Sequence, residues 1–145
     1  MHRFCSGRRA VLAAISAWSI AGALPALAQD PRYSEAQAAA RDWLAIEDTD
    51  DAVASYSAAA KRFHDSMPVD QWAQAMSRAH EQFGPVQTRT LIGTQAPTPG
   101  PDVPPGEFVV VVFRTEYEKR QTGTETLTLE RESDGKWRVV GYLIR

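Results

Sequence analysis

The chain has 145 residues, of which 43% are hydrophobic and 23% charged, and its formal net charge is −2. This composition excludes a wholly disordered chain and the collagen-like and low-complexity classes. A single Cys excludes a disulfide framework and a cysteine-based zinc site.

The first 28 residues have the three parts of an export signal peptide. A basic start, with Arg3, Arg8 and Arg9, precedes an apolar run over residues 10–24. The sequence Ala26-Leu27-Ala28 then supplies the small residues that a signal peptidase requires. We therefore expect cleavage after Ala28 and a periplasmic or secreted protein. The route is the general secretory one or, because Arg8-Arg9 precedes apolar residues, the twin-arginine one.

Cleavage would leave 117 residues with a net charge of −5 and no Cys. An acidic chain of this kind lacks the basic surface that binds nucleic acid or anionic lipid. We expect no membrane span after cleavage, because the only long apolar run leaves with the signal peptide. Pro25, which ends that run just before the cleavage site, argues against an uncleaved membrane anchor. The predicted organisation is a signal peptide (1–28), a flexible N-terminus (29–34) and one domain (35–145).

Three helices are predicted in the first half of that domain. Ser34 to Gln37 is typical of a capping box, and the apolar spacing that follows predicts a helix ending near Glu47. Acidic residues 48–51 can cap a second helix, whose apolar positions run from Ala52 to Phe63. A third helix follows from Pro68 and ends at Gly84-Pro85, since this pair cannot continue a helix.

Four strands are predicted in the second half. Residues 86–95 form the first, and a connection with five Pro follows over 96–106. The apolar run 108–113, with a polar extension through 116–120, predicts a strand covered on both faces. Residues 124–131 alternate as in a half-buried strand, and a tight turn at 133–136 leads into a last strand over 137–144. We expect the C-terminus to be tied into the sheet. Helices followed by an antiparallel meander indicate an α+β fold, with the helices packed on one face of the sheet.

Several short motifs carry a family resemblance. They are Ala-x-x-Trp-Leu at 40–44, Asp-x-x-x-Ser-Tyr at 51–56, Gln-Trp at 71–72 and the ending Gly-Lys-Trp-Arg-Val-Val-Gly-Tyr-Leu-Ile-Arg at 135–145. Together they are similar to a family of bacterial exported proteins, domain of unknown function 4019 (DUF4019). The layout also resembles the nuclear-transport-factor-2-like (cystatin-like) superfamily. That resemblance implies a curved four-stranded sheet that wraps around the helices as a cone with a pocket, in a superfamily that holds both enzymes and non-catalytic binding domains. The resemblance to DUF4019 implies no established active site, so it assigns no catalytic residue.

No arrangement of residues predicts catalysis or metal binding. His64 and His80 lie on different predicted helices without metal-ligand spacing, and there is no Gly-x-Ser-x-Gly elbow or phosphate-binding glycine loop. We therefore predict no catalytic residue, no metal and no cofactor. Glu116 and Glu125 are the best candidates for a general base. His64 and His80 are the only imidazoles that could act as their partners. We interpret both Glu as part of a solvated hairpin tip, together with Glu118, Lys119 and Arg120.

Aromatic residues at helical and strand spacing form the remaining feature. We expect most of them in the core, and the alternative is that they line a pocket for an apolar ligand. The candidates are Trp43, Tyr56, Phe63, Trp72, Phe113, Trp137 and Tyr142. The sequence favours a non-catalytic module that binds a small apolar molecule or a partner protein. A homodimer packed through the sheet and a small pocket enzyme, such as an isomerase or dehydratase, stay open as alternatives.

Overall fold

Four helices precede four strands in a computed structural model of the chain, which describes residues 30–119 and 122–145. The helices are α1 (Pro31–Glu47), α2 (Ala52–Ala58), α3 (Lys61–Ser66) and α4 (Val69–Phe83). The strands are β1 (Val86–Gln95), β2 (Phe108–Tyr117), β3 (Gly123–Arg131) and β4 (Trp137–Ile144). The predicted signal peptide and Arg120 lie outside the described residues.

The strands form one antiparallel sheet in the order β1-β2-β3-β4, so each strand pairs with its neighbour in the chain. Helix α1 contacts all four strands and α3 contacts β4. The core lies between these helices and the sheet, and it includes Leu44, Phe113, Leu127 and Leu129. The predicted α+β class and antiparallel meander are confirmed.

Helix α1 begins earlier than predicted. Asp30 is its N-cap and accepts a hydrogen bond from the Arg32 backbone N–H, while Pro31 takes the first helical position. Ser34 instead hydrogen-bonds the Pro31 carbonyl, and the Gln37 side chain donates to Thr94 of β1. The predicted capping box at 34–37 is therefore wrong. Residues 31–34, predicted to precede the domain, are helical.

The predicted second helix is two helices, so the expected count of three is wrong. Ala59 and Ala60 adopt extended backbone conformations between α2 and α3. The Ala60 N–H donates to the Val139 carbonyl of β4 at 2.8 Å, and Ala60 is completely buried. Tertiary hydrogen bonding to the sheet thus overrides the helix preference of an alanine-rich segment.

The end of α4 and the strand positions agree with the predictions. Gly84 ends α4 with a φ of 73°, a conformation that glycine adopts without steric cost. Glu125, Leu127 and Leu129 of β3 are buried on one face. Backbone hydrogen bonds join Arg145 to Thr124 in both directions, so the C-terminus is tied into the sheet as predicted.

One face of β2 is less covered than predicted. Val109, Val111 and Phe113 are buried against the helices, whereas Val110 and Val112 on the other face are half-buried. An uninterrupted apolar run therefore does not require two covered faces here. Within residues 30–119 and 122–145, no helix combines the length and apolarity needed to cross a bilayer.

Candidate functional site

The predicted pocket-lining aromatic residues mostly form contacts with one another. The Trp72 ring lies 5.7 Å from the Trp43 ring and 5.3 Å from the Phe63 ring, centroid to centroid, and the Tyr56 ring packs against Phe63 at 5.9 Å. Both indole N–H groups of the Trp pair are satisfied by Ser55, one by its carbonyl and one by its hydroxyl. This part of the interior is a packed aromatic cluster.

The other three predicted residues lie at different places. Phe113 and Trp137 are buried in the core, and the indole N–H of Trp137 reaches the carboxylate of Glu35 at 3.3 Å. Tyr142 packs edge-on against Trp43 at 5.2 Å and also borders a cleft. Tyr142 thus connects the aromatic cluster with that cleft.

The cleft has a volume of about 340 Å³ and opens where the C-terminal ends of α1 and α4 approach the ends of β2 and β4. Its lining combines carboxylates, aromatic rings and one imidazole, contributed by Glu47, Asp48, Asp50, His80, Phe83, Tyr117 and Tyr142, with apolar positions such as Ala79 between them. A groove that includes Trp72 and Met76 adjoins it, since the two share several lining residues. Clefts of this size and composition are typical of small-molecule sites.

His80 bridges two acidic residues at the edge of the cleft. Its Nε2 lies 2.8 Å from Glu47 Oε1 and its Nδ1 lies 2.6 Å from Asp50 Oδ1. Asp50 has a φ of 64°, unusual for a residue other than glycine. The imidazole therefore joins α4 to the turn that follows α1.

Burial and hydrogen bonding shift the pKa values of this pair. Desolvation raises the pKa of Glu47, whose side chain is 4% exposed, and the bond to His80 only partly offsets it. The hydrogen bond to Glu47 raises the pKa of His80 to about 9, with a further contribution from Asp50, against the opposing effect of burial. His80 is thus a cation at neutral pH.

This pKa shift predicts a pH dependence of stability. Because the folded-state pKa of His80 lies above its ordinary value of 6.5, the stabilisation is complete below pH 6.5 and is lost as the pH rises through about 9. His80→Gln should be less stable than the wild type by about 1–2 kcal/mol at pH 6, allowing for solvent screening. Denaturant titrations should show the difference shrinking above pH 9. His64→Gln is the control, because His64 bonds the Tyr56 carbonyl instead of a carboxylate. A pH-independent difference for His80→Gln would contradict the assignment.

Behind the cleft lies a partly buried ion pair. Arg89 of β1 binds Glu125 of β3 through two hydrogen bonds, Nε to Oε2 at 2.6 Å and Nη2 to Oε1 at 3.1 Å. Its guanidinium also binds both carboxylate oxygens of Asp48, at 2.8 and 2.9 Å. Arg89 thus joins the end of α1 to two strands, and Asp48 and Glu125 both receive bidentate charge-assisted bonds.

Glu125 is fully buried, so its predicted place at a solvated hairpin tip is wrong. Besides Arg89, Thr115 donates a hydrogen bond to Oε2 and Tyr142 donates one to Oε1 at 2.6 Å. Burial alone would raise the pKa of Glu125, but the bonds from these three donors outweigh burial and lower it. Glu125 is an ionised structural anion with neither His among its hydrogen-bond partners, and this is not the arrangement of a general base.

Glu116 behaves as predicted. It is exposed and accepts a hydrogen bond from Thr88 at 3.1 Å. Across the described ranges 30–119 and 122–145, no group of three or more His, Cys, Asp or Glu side chains could hold a metal ion.

Tyr117, which borders the cleft, has a buried hydroxyl that completes no hydrogen bond among the described residues, although it lies close enough to the Glu125 carboxylate to interact with it. Its ring packs against Phe83 at 5.0 Å, and Gly123 makes room for it, since a Cβ at Gly123 would lie 2.9 Å from Tyr117 Cε2. Burial raises the pKa of Tyr117, and the nearby Glu125 carboxylate adds to the shift. The hydroxyl stays protonated. A buried hydroxyl that completes no hydrogen bond lowers the stability of the fold unless a bound molecule supplies the bond.

Two residues of this site, Glu47 and Tyr117, were missed by sequence reasoning. Glu47 occupies the buried stripe of α1 that also contains Ala36, Ala40 and Leu44, at helical spacing. Tyr117 continues the buried alternation of Phe113 and Thr115 along β2. These periodicities could have revealed the burial of both residues from the sequence. The partnership of His80 with Glu47 could not be predicted in this way, because 33 residues separate them.

A comparison with solved structures agrees with this fold, whereas no curated protein matches the chain. The structure is similar to that of a ketosteroid isomerase-like protein from Erwinia carotovora atroseptica SCRI1043, with a TM-score of 0.54, 15% sequence identity and coverage of 79% of this chain and 95% of the other. That likeness supports the nuclear-transport-factor-2-like fold. The model of the family described as "Protein of unknown function (DUF4019)" matches residues 39–142. The chain therefore belongs to the DUF4019 family.

Proposed function

We propose that the chain is a binding module for a small molecule with an apolar body, which occupies the cleft between the ends of α1, α4, β2 and β4. The observation that carries this proposal is the buried hydroxyl of Tyr117 at the border of that cleft, which completes no hydrogen bond among the described residues. Buried polar groups in folded proteins are nearly always paired. A ligand that reaches this hydroxyl would supply the missing hydrogen bond.

The shape and lining of the cleft support the same proposal. Its volume of about 340 Å³ accommodates a small organic molecule, and its apolar walls include Phe83, Ala79 and Ile144. The aromatic cluster beneath it is packed through Trp43 and Trp72, which favours binding in the preformed cleft over insertion among the core rings.

A blocking substitution tests this location. Ala79→Trp places an indole in the cleft, and Gln74→Trp places one on an exposed position of the same helix as a control. Benzylammonium, benzyl alcohol and benzoate serve as probes in isothermal titration calorimetry. We expect at least one probe to bind the wild type and Gln74→Trp, and Ala79→Trp to weaken that binding by about tenfold or more. Equal binding to Ala79→Trp would place the site elsewhere, and no binding of any probe to the wild type would contradict the proposal.

The predicted export signal supports a location of this binding activity outside the cytoplasm. We expect periplasmic material to begin at Gln29, because Ala26-Leu27-Ala28 fits signal peptidase cleavage. Intact-mass measurement of the protein recovered from the periplasm tests the site. A mass that includes Met1 would contradict export with cleavage, and a different N-terminus would correct the position.

An acid–base enzyme is a second candidate, favoured by the Glu47–His80 pair. A buried carboxylate with a raised pKa, hydrogen-bonded to an imidazole beside a cleft, is an arrangement that proton-transfer enzymes use. The similar solved structure is named for ketosteroid isomerase. Turnover of an enolisable ketone that Glu47→Gln abolishes would favour the enzyme over the binding module.

A homodimer packed through the sheet is compatible with either candidate. Val110 and Val112 lie on the sheet face opposite the helices and are half-buried in the single chain. A monomeric mass by native mass spectrometry at micromolar concentration would remove the dimer from consideration.

A further inference from the structure

We infer that the ligand of the cleft is an organic monocation, an ammonium group attached to an apolar body. This inference rests on the proposed function and adds the chemical class of the ligand. It follows from the charge balance of the lining, the aromatic rings beside it and the unpaired hydroxyl of Tyr117.

The lining has an excess of negative charge. Four carboxylates lie in or directly behind the cleft, at Glu47, Asp48, Asp50 and Glu125. Two cations compensate them, since His80 contacts Glu47 and Asp50 while Arg89 contacts Asp48 and Glu125. These four carboxylates and two cations together keep about two uncompensated negative charges when every acid is ionised. Among the described residues that line the cleft, His80 is the one basic side chain, and Arg78 borders only the adjoining groove.

Aromatic rings provide the second contribution. Phe83 and Tyr117 lie with their centroids 5.0 Å apart, and Tyr142 borders the same cleft. The faces of aromatic rings attract cations, most strongly where water is excluded. An apolar body would pack on these rings while its ammonium group lies near the acids.

The Tyr117 hydroxyl, which also interacts with the buried Glu125 carboxylate, is the third contribution. The residue is 5% exposed and its oxygen completes no hydrogen bond among the described residues. A phenolic hydroxyl can accept a hydrogen bond from an N–H donor as well as donate one. The same site would repel an anion. A neutral molecule could pack against the rings but would gain no electrostatic attraction.

Three probes of nearly equal size separate charge from shape. Benzylammonium, benzyl alcohol and benzoate differ at one polar group and carry charges of +1, 0 and −1 at pH 7. We expect benzylammonium to bind the full chain about tenfold more tightly than benzyl alcohol, and benzoate to bind most weakly. Raising the ionic strength should weaken benzylammonium alone.

Two variants locate the source of the preference. Asp50→Asn removes a charge from a side chain that is 72% exposed, so the fold should persist, and Glu47→Gln removes the buried charge. Each should lower the affinity for benzylammonium several-fold, and by more than it lowers the affinity for benzyl alcohol. If Glu47→Gln does not fold, Asp50→Asn decides the matter.

The outcomes separate this inference from the proposed function. If benzyl alcohol or benzoate binds as tightly as benzylammonium, and Ala79→Trp abolishes that binding, the cleft is a ligand site and the cation inference is overturned. Unchanged benzylammonium affinity in Asp50→Asn together with insensitivity to salt also overturns it. If no probe binds the wild type, both the inference and the proposed function fail.

Discussion

Arg89→Met should lower the free energy of unfolding by about 3–5 kcal/mol, because it leaves a buried carboxylate without its cation. Glu125 has a side chain that is 1% exposed and takes two of its hydrogen bonds from Arg89. Asp48 would lose its two bonds in the same variant. Chemical denaturation at pH 7 measures the loss.

A double variant separates the unpaired charge from the lost packing. Arg89→Met combined with Glu125→Leu removes both members of the pair, and replacing a buried ion pair by apolar residues is often close to neutral. We expect the double variant to recover most of the stability that Arg89→Met loses. A cost below about 1 kcal/mol for Arg89→Met alone would mean that the pair behaves as an exposed salt bridge.

Trp43→Ala and Trp72→Ala should each cost about 3–5 kcal/mol, the range for deletion of a large aromatic side chain from a core. The two residues are 3% and 5% exposed, and their rings contact each other and Tyr142. Each deletion also removes an indole N–H bond to Ser55. The change in denaturation midpoint is the measurement.

Conservative variants provide the control for these deletions. Trp43→Phe keeps much of the buried ring area but loses part of the indole and its bond to the Ser55 carbonyl, so it should cost about 1–3 kcal/mol. Its midpoint should lie between those of the wild type and Trp43→Ala. Denaturation midpoints like that of the wild type for both alanine variants would show that the aromatic cluster contributes little to the fold.

The sequence predicted those elements whose signals are local. The end of α4 at Gly84 and the alternation of β3 depend on nearby residues, and both agree with the structure. The break at Ala59-Ala60 depends instead on a backbone bond to Val139 of β4. Because Ala59 and Ala60 carry no helix-breaking signal, that break could not be read from the segment itself.

The candidate site was only partly accessible from the sequence. The alternation of β3 placed Glu125 on the same face as Leu127 and Leu129, so its burial followed from the pattern, although its charge favoured the surface. The partner that stabilises it, Arg89, lies 36 residues away on a strand with a moderate pattern. Pairings of this kind depend on the register of the assembled sheet and on the position of α1 over it.

The four tyrosines of the chain offer the most direct test that the cleft binds a ligand. Tyr117 and Tyr142 border the cleft, whereas Tyr33 and Tyr56 pack elsewhere against the core. NMR spectra of protein labelled with ¹³C on the tyrosine rings, recorded during titration with benzylammonium, report on each ring separately. We expect the resonances of Tyr117 and Tyr142 to shift and saturate together while those of Tyr33 and Tyr56 stay unchanged. Shifts confined to Tyr33 or Tyr56, or no shift at saturating concentrations of this probe, benzyl alcohol and benzoate, would contradict it.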